Sequence, residues 1–215
     1  DSLVDKTDTL PPNMYGLEKL NDQEMLGGLL SSGFSRFNVN TKQFKIGAGA
    51  LQYSDSIRYN SVYDILKDSR GRIWMASYYF RLAEYIPEKD TIISFQSDPY
   101  NPYGFEGNDA LCIYEDRQHN IWIGTATKGV YRFNPDDNAV KLHEAIDRGS
   151  VFSLNNWDDK TLFVGTEAGP AFYNLQTGKS NIFKGISTMG INAPLEYVRA
   201  GIPDRNGKYF WMGTV

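Results

Sequence analysis

Asn120-Ile121-Trp122-Ile123-Gly124-Thr125, followed after a short polar link by Gly129-Val130-Tyr131-Arg132-Phe133-Asn134-Pro135, is the stretch on which the fold turns. Two short apolar runs rich in β-branched and aromatic residues flank a glycine-containing turn, the pattern of a β-hairpin. The same wording recurs with drift. Trp74-Met75-Ala76-Ser77 leads to Leu82-Ala83-Glu84-Tyr85-Ile86-Pro87, and Phe163-Val164-Gly165-Thr166 leads to Gly169-Pro170-Ala171-Phe172-Tyr173-Asn174. Two partial copies frame them: Leu26-Gly27-Gly28-Leu29 before Gly33-Phe34-Ser35-Arg36-Phe37-Asn38, and Trp211-Met212-Gly213-Thr214 at the end.

The anchor positions 26, 74, 122, 163 and 211 stand 48, 48, 41 and 48 residues apart. A period of about 40 to 50 residues is that of a four-stranded propeller blade. Each anchor is preceded by a short strand and a polar turn: Val62 to Leu66 then Asp68-Ser69-Arg70-Gly71, Leu111 to Tyr114 then Asp116 to Asn120, Val151 to Leu154 then Asp158-Asp159-Lys160. A third strand, a turn such as Asn134-Pro135-Asp136-Asp137-Asn138 and a fourth apolar run follow, which makes an antiparallel meander. No segment carries a helical i, i+3, i+4, i+7 apolar stripe. The expected fold is therefore an all-β propeller of about four and a half blades, part of a larger ring and truncated in its last blade, with residues 1–16 as an N-terminal segment and possible edge strand and 17–215 as the repeats. Trp74, Trp122 and Trp211 are expected in the core between blades.

Composition agrees with this and narrows the function. Hydrophobic residues at 41% and charged ones at 22% describe a chain that folds. A net charge of −4, from 22 Lys and Arg against 26 Asp and Glu, opposes the basic footprint of a nucleic-acid binder. The single cysteine, Cys112, rules out an internal disulfide or a multi-cysteine metal site and reads as a small buried strand residue. No run of about 18 apolar residues suggests a spanning helix, and Asp1 to Lys6 lack the layout of a signal peptide. The chain reads as soluble, or as a soluble piece of something larger.

From Ala110 to Asn134, with Ile113-Tyr114-Glu115-Asp116, Asn120 to Thr125 and Gly129 to Phe133, the units resemble the two-component regulator propeller repeat; the linker Ser97-Asp98-Pro99-Tyr100-Asn101-Pro102-Tyr103-Gly104-Phe105 is similar to that family's connectors. Ala76 in place of the motif glycine, and Leu26 and Phe163 in place of Trp, depart from the pattern. The resemblance implies a periplasmic sensor region of a membrane-anchored hybrid histidine kinase, dimeric as a parent protein, that detects an oligosaccharide. A carbohydrate-active propeller enzyme (lyase or hydrolase) and a protein-interaction scaffold are the alternatives.

Parts for catalysis are few. His119 and His143 are the only histidines and both read as solvated turn residues; H-E-x-x-H, G-x-S-x-G and Walker patterns do not occur. Asp68 and Asp116 stand six residues before their Trp, one more than in the Asp box of sialidase-type propellers. Asp136 and Asp137 have ordinary turn composition. No catalytic residue, metal or cofactor is expected. The aromatics of the connecting segments, Tyr78, Tyr79, Phe80, Tyr100, Tyr103 and Phe105, are the expected ligand-stacking platform, with anchoring of the loops beneath the blades as the competing role.

Overall fold

A computed structural model describes residues 13–46, 61–78, 81–95, 105, 109–137, 139–143, 149–183, 185–188, 191–206 and 209–215. Every regular element among them is a strand. Sheet I comprises β1 (Met14–Lys19), β2 (Glu24–Leu29), β3 (Gly33–Asn38) and β4 (Phe44–Ile46). Sheet II comprises β5 (Val62–Lys67), β6 (Ile73–Ser77), β7 (Arg81–Ile86) and β8 (Thr91–Ser94). Sheet III holds β9 (Ala110–Glu115), β10 (Ile121–Thr125), β11 (Val130–Asn134) and β12 (Ala139–His143), and sheet IV holds β13 (Val151–Asn156), β14 (Thr161–Thr166), β15 (Gly169–Asn174) and β16 (Ser180–Ile182). Each of these four sheets is an antiparallel meander in sequence order. Two pairs follow, the hairpin β17 (Gly185–Thr188) with β18 (Ile191–Pro194), and sheet V, made of β19 (Ala200–Pro203) and β20 (Phe210–Gly213).

The chain divides into two compact units, 1–96 and 97–215. In the first, β1 and β2 lie against β5. Leu26 and Phe34 of sheet I meet Val62, Ile65, Met75 and Tyr85 of sheet II in one buried cluster, and Phe34 and Tyr85 stand edge to face with centroids 4.7 Å apart. In the second unit β9 lies against β13, and β13 against β19. Cys112, Trp122 and Val130 of sheet III bury against Val151, Leu162, Val164, Ala171 and Tyr173 of sheet IV. First strand thus meets first strand, and the fourth strand of each sheet lies at the outer edge. That is the packing of propeller blades, and it explains the second-strand glycine. A Cβ on Gly124 would come within 2.5 Å of Cys112 Sγ and 2.6 Å of Val151 Cγ1, so the following sheet closes over a position that admits only hydrogen.

Loop ends repeat as faithfully as the strands. The Tyr78 amide donates to Ser61 O, that of Ala126 to Asp109 O and that of Glu167 to Ser150 O. Thr125 Oγ1 donates to Gly129 O at 2.9 Å and Thr166 Oγ1 to Gly169 O at 2.7 Å, closing the same hairpin in sheets III and IV.

Four expectations change. Trp74 and Trp122 are 1% exposed, but Trp211 is 66% exposed, because β20 pairs only with β19 and nothing among the described residues covers its indole. His143 is no turn residue; it ends β12 and leans on Trp122 and Tyr173, with centroids at 4.9 and 5.3 Å. The 48 residues between Phe163 and Trp211 include the extra hairpin β17–β18. The first sheet starts at Met14, three residues before the expected boundary, and residues 1–12 lie outside the described ones.

Candidate functional site

Asp68 and Asp116 organise the turns that lead to the two buried tryptophans. Asp68 Oδ1 accepts the backbone amides of Arg70 and Arg72 at 3.0 and 2.8 Å, while Oδ2 accepts Trp74 Nε1 at 3.0 Å and Arg72 Nε at 2.7 Å. Asp116 repeats the arrangement with the amides of Gln118 and Asn120, both at 2.9 Å, and Trp122 Nε1 at 2.7 Å. A carboxylate accepting several amides and an indole N–H is tolerated in burial that would otherwise expel it. Burial acts to raise the Asp68 pKa, yet the hydrogen bonds from Trp74 and Arg72 prevail and hold it below its ordinary value. These aspartates are structural clasps: their lone pairs are occupied by the hairpin itself.

Around the first clasp lies a groove of about 460 Å³ in the first unit. Its floor and walls come from the β1–β2 turn at Leu20 and Asn21, Arg36 on β3, Lys67 at the end of β5, the turn residues Arg70 to Arg72, and β7 with its following turn, Glu84 to Glu88. Four cationic side chains line it against two carboxylates. Arg36 is held by Glu24 Oε2 at 2.7 Å and donates to Tyr85 Oη at 3.3 Å. The Tyr85 hydroxyl donates a hydrogen bond to Asp90 Oδ1 at 2.8 Å, and burial with this hydrogen bond pushes its pKa up to about 12. Lys67 Nζ donates to Leu20 O at 2.7 Å. Burial raises Glu84, an effect partly countered by the charge of Arg72.

A second groove, of about 540 Å³, lies in the other unit and is apolar, lined by Trp157, Phe172, Phe183, Tyr209, Phe210 and Met212 among others. Trp157 stands edge-on to Phe172 with centroids 4.6 Å apart and tilts over Phe210 at 4.9 Å.

The aromatics singled out from sequence fare differently. Tyr78, in the first unit, is 54% exposed just after β6. Phe105, in the second, is 3% exposed and lies against Tyr131 and Phe133 at 5.3 and 6.5 Å, so its ring serves the packing of sheet III. Tyr79, Phe80, Tyr100 and Tyr103 lie outside the described residues. Neither groove was foreseen from sequence. The cationic one had a legible signal: Lys67, Arg70 and Arg72 stand where the next repeat, 48 residues on, has Glu115, Gln118 and Asn120.

A two-component regulator propeller family matches at residues 56–79 and 104–127, the segments that carry the two clasps. Histidine kinase P4 of Formosa agariphila is 28% identical over 177 residues, which cover 80% of this chain and 13% of that protein. Two solved extracellular domains from Bacteroides thetaiotaomicron, assigned to hybrid two-component systems, superpose with TM-scores of 0.78 and 0.76 at 18% identity, over 100% and 98% of this chain and 30% and 27% of theirs. At that identity the likeness establishes the fold. The chain spans under a third of each of these proteins.

Proposed function

We propose that the chain, two segments of which match two-component regulator propeller repeats, belongs to the ligand-sensing region of a hybrid two-component histidine kinase, placed outside the cytoplasm. The observation that carries the reading is the pair of Asp–Trp clasps falling inside the matched segments. They build rigid blades whose turns are left to vary, which suits a surface that recognises rather than transforms. The names of the relatives, a histidine kinase and extracellular domains of hybrid two-component systems, support the same reading. The ligand is an oligosaccharide, met by hydrogen-bonding groups and exposed rings of the turns and connecting segments, with Tyr78 as the described representative. The parent protein dimerises and passes the binding event through the membrane to its kinase.

The test uses the entire sensor region, titrated calorimetrically with neutral and acidic oligosaccharides while products are followed by chromatography, and the full-length kinase assayed for autophosphorylation with the best ligand. Binding without turnover and a ligand-dependent change in autophosphorylation are expected. Cleavage of the bound glycan overturns the sensor reading in favour of a carbohydrate-active enzyme, and no binding to any glycan removes the oligosaccharide.

A further inference from the structure

The cationic groove of the first unit contains more than its architecture requires. Arg72 and Asn120 occupy the same step of successive repeats, four residues after the clasp aspartate and two before the tryptophan. Asn120 does the structural work with a neutral side chain, donating from Nδ2 to both Asp116 oxygens at 3.2 and 3.0 Å. Arg72 meets the same need with Nε alone, 2.7 Å from Asp68 Oδ2, while its guanidinium carbon sits 5.4 Å from the centre of the Trp74 ring. Its Nη2 is buried without an acceptor, although the side chain as a whole keeps 24% exposure. A charged donor enclosed without a partner is costly, and the cost is recovered when an acceptor arrives. Lys67 and Arg36 flank the same groove, fixed by Leu20 O and by Glu24. Where the second repeat has Glu115, Gln118 and Asn120, the first has Lys67, Arg70 and Arg72: the hairpin is kept and its charge is reversed. Four cationic side chains thus line one groove in a chain of net charge −4, two of them oriented by Asp68 and Glu24.

We propose that this groove is an oxyanion-binding site in which Arg72, flanked by Lys67 and Arg36, takes a carboxylate or sulfate group carried on a sugar. Naming the sugar rests on the sensor reading above; the oxyanion chemistry does not. The planar guanidinium suits either group through its N–H donors, and its clasp to Asp68 and its place 5.4 Å from the centre of the Trp74 ring orient it beforehand. Glu84 and Glu88 line the same groove, so the anion enters from the Lys67 and Arg70 side, and a neutral sugar gains nothing from the cations.

The purified chain is titrated with sodium sulfate, sodium glucuronate and glucose, each against sodium chloride at matched ionic strength, following melting temperature and the indole N–H resonances of Trp74 and Trp122. Sulfate, glucuronate or both should raise the melting temperature above the chloride control and shift the Trp74 signal while leaving that of Trp122 in place; the two arms tell carboxylate from sulfate. Arg72→Asn, the side chain that the second repeat already uses, should keep its melting temperature in chloride and lose about tenfold or more in affinity, as expected for a charge-assisted hydrogen bond. Lys67→Glu provides the second test should Arg72→Asn fail to fold. Equal shifts in chloride, or unchanged anion affinity in both variants, overturn the site. Neutral oligosaccharides bound equally by the wild-type sensor region and Arg72→Asn would leave the sensor reading standing. Conversely, anion binding by the chain survives even if no oligosaccharide is recognised.

Discussion

Sheets II and III differ from sheets I and IV in the residue at the anchor, and the difference extends six residues back along the chain. Where the anchor is Trp74 or Trp122, the position six residues before it is a buried aspartate whose Oδ2 receives the indole proton. Where the anchor is Leu26, that position is Leu20, 8% exposed, and the turn is capped instead by Asn21, whose Oδ1 accepts the amides of Gln23 and Glu24. Where the anchor is Phe163, the position is Trp157, 44% exposed and laid across Phe172 and Phe210. In sheets I to IV this donor and carboxylate appear together or not at all, whereas the anchor Trp211 of sheet V has Arg205 six residues before it. The physical reason is that a carboxylate at 4% or 8% exposure is tolerable only with its donors present, whereas an apolar anchor asks for an apolar neighbour.

The sharpest way to break this comparison is to separate the pair. Trp122→Ala should cost about 3 to 5 kcal/mol in chemical denaturation, the range for emptying a buried aromatic site. Asp116→Ala should cost about 2 to 4 kcal/mol, since it strands the indole N–H and two backbone amides together. Trp122→Phe with Asp116→Leu, the solution of the apolar repeats, should be less destabilised than the sum of its single variants. Strict additivity would show that the two side chains act independently.

The seams between sheets come next. Gly124→Ala should lose about 1 to 3 kcal/mol through overpacking against Cys112 and Val151. Gly149→Ala, whose added carbon meets nothing closer than 4.0 Å, should be near neutral in the same denaturation experiment. Similar losses at both glycines would mean that the seam between sheets III and IV is not closed.

A pH titration tests the burial of His143. Burial, with the charges of Arg132 and Lys141, pushes His143 down to about 4 from an ordinary 6.5. Between those values the unfolded chain binds the proton and the folded one does not, so stability falls as the pH is lowered from 6.5 to 4. His143→Phe should flatten that slope in denaturation curves measured across the window, and an unchanged slope would place the proton elsewhere. The smallest effect is expected at His119, which holds φ +63° where the preceding repeat has Gly71 at +85°. His119→Gly should stabilise by up to about 1 kcal/mol if relief of the left-handed backbone outweighs the lost contact to Glu115 Oε1 at 3.0 Å. A clear loss of stability would show that the pair with Glu115 dominates.

Legibility from sequence followed the range of the interaction. The four-stranded sheets, the 48-residue period and the anchors at 26, 74, 122 and 163 were open to reading because strand alternation, turn chemistry and the Asp-to-Trp spacing act within one hairpin. Of the six aromatics expected to contact ligand, Tyr78 is exposed and Phe105 is packed in sheet III, while Tyr79, Phe80, Tyr100 and Tyr103 lie outside the described residues. The cationic groove is assembled from turns of two sheets, Asn21 to Glu88, and only the reversal of charge between the repeats pointed to it.

What the amino-acid order determined by itself is the repeating hairpin and its clasp, written in residues a few positions apart. What tertiary structure alone decided is the environment of each copy. Trp122-Ile123-Gly124-Thr125 and Trp211-Met212-Gly213-Thr214 are nearly the same phrase, yet one tryptophan is 1% exposed and the other 66%. His143 gained Trp122 and Tyr173 as neighbours while His119 stayed in its turn. Strand formation is set by local backbone and side-chain alternation, but burial belongs to whatever packs on top, and that surface comes from residues far away in the chain.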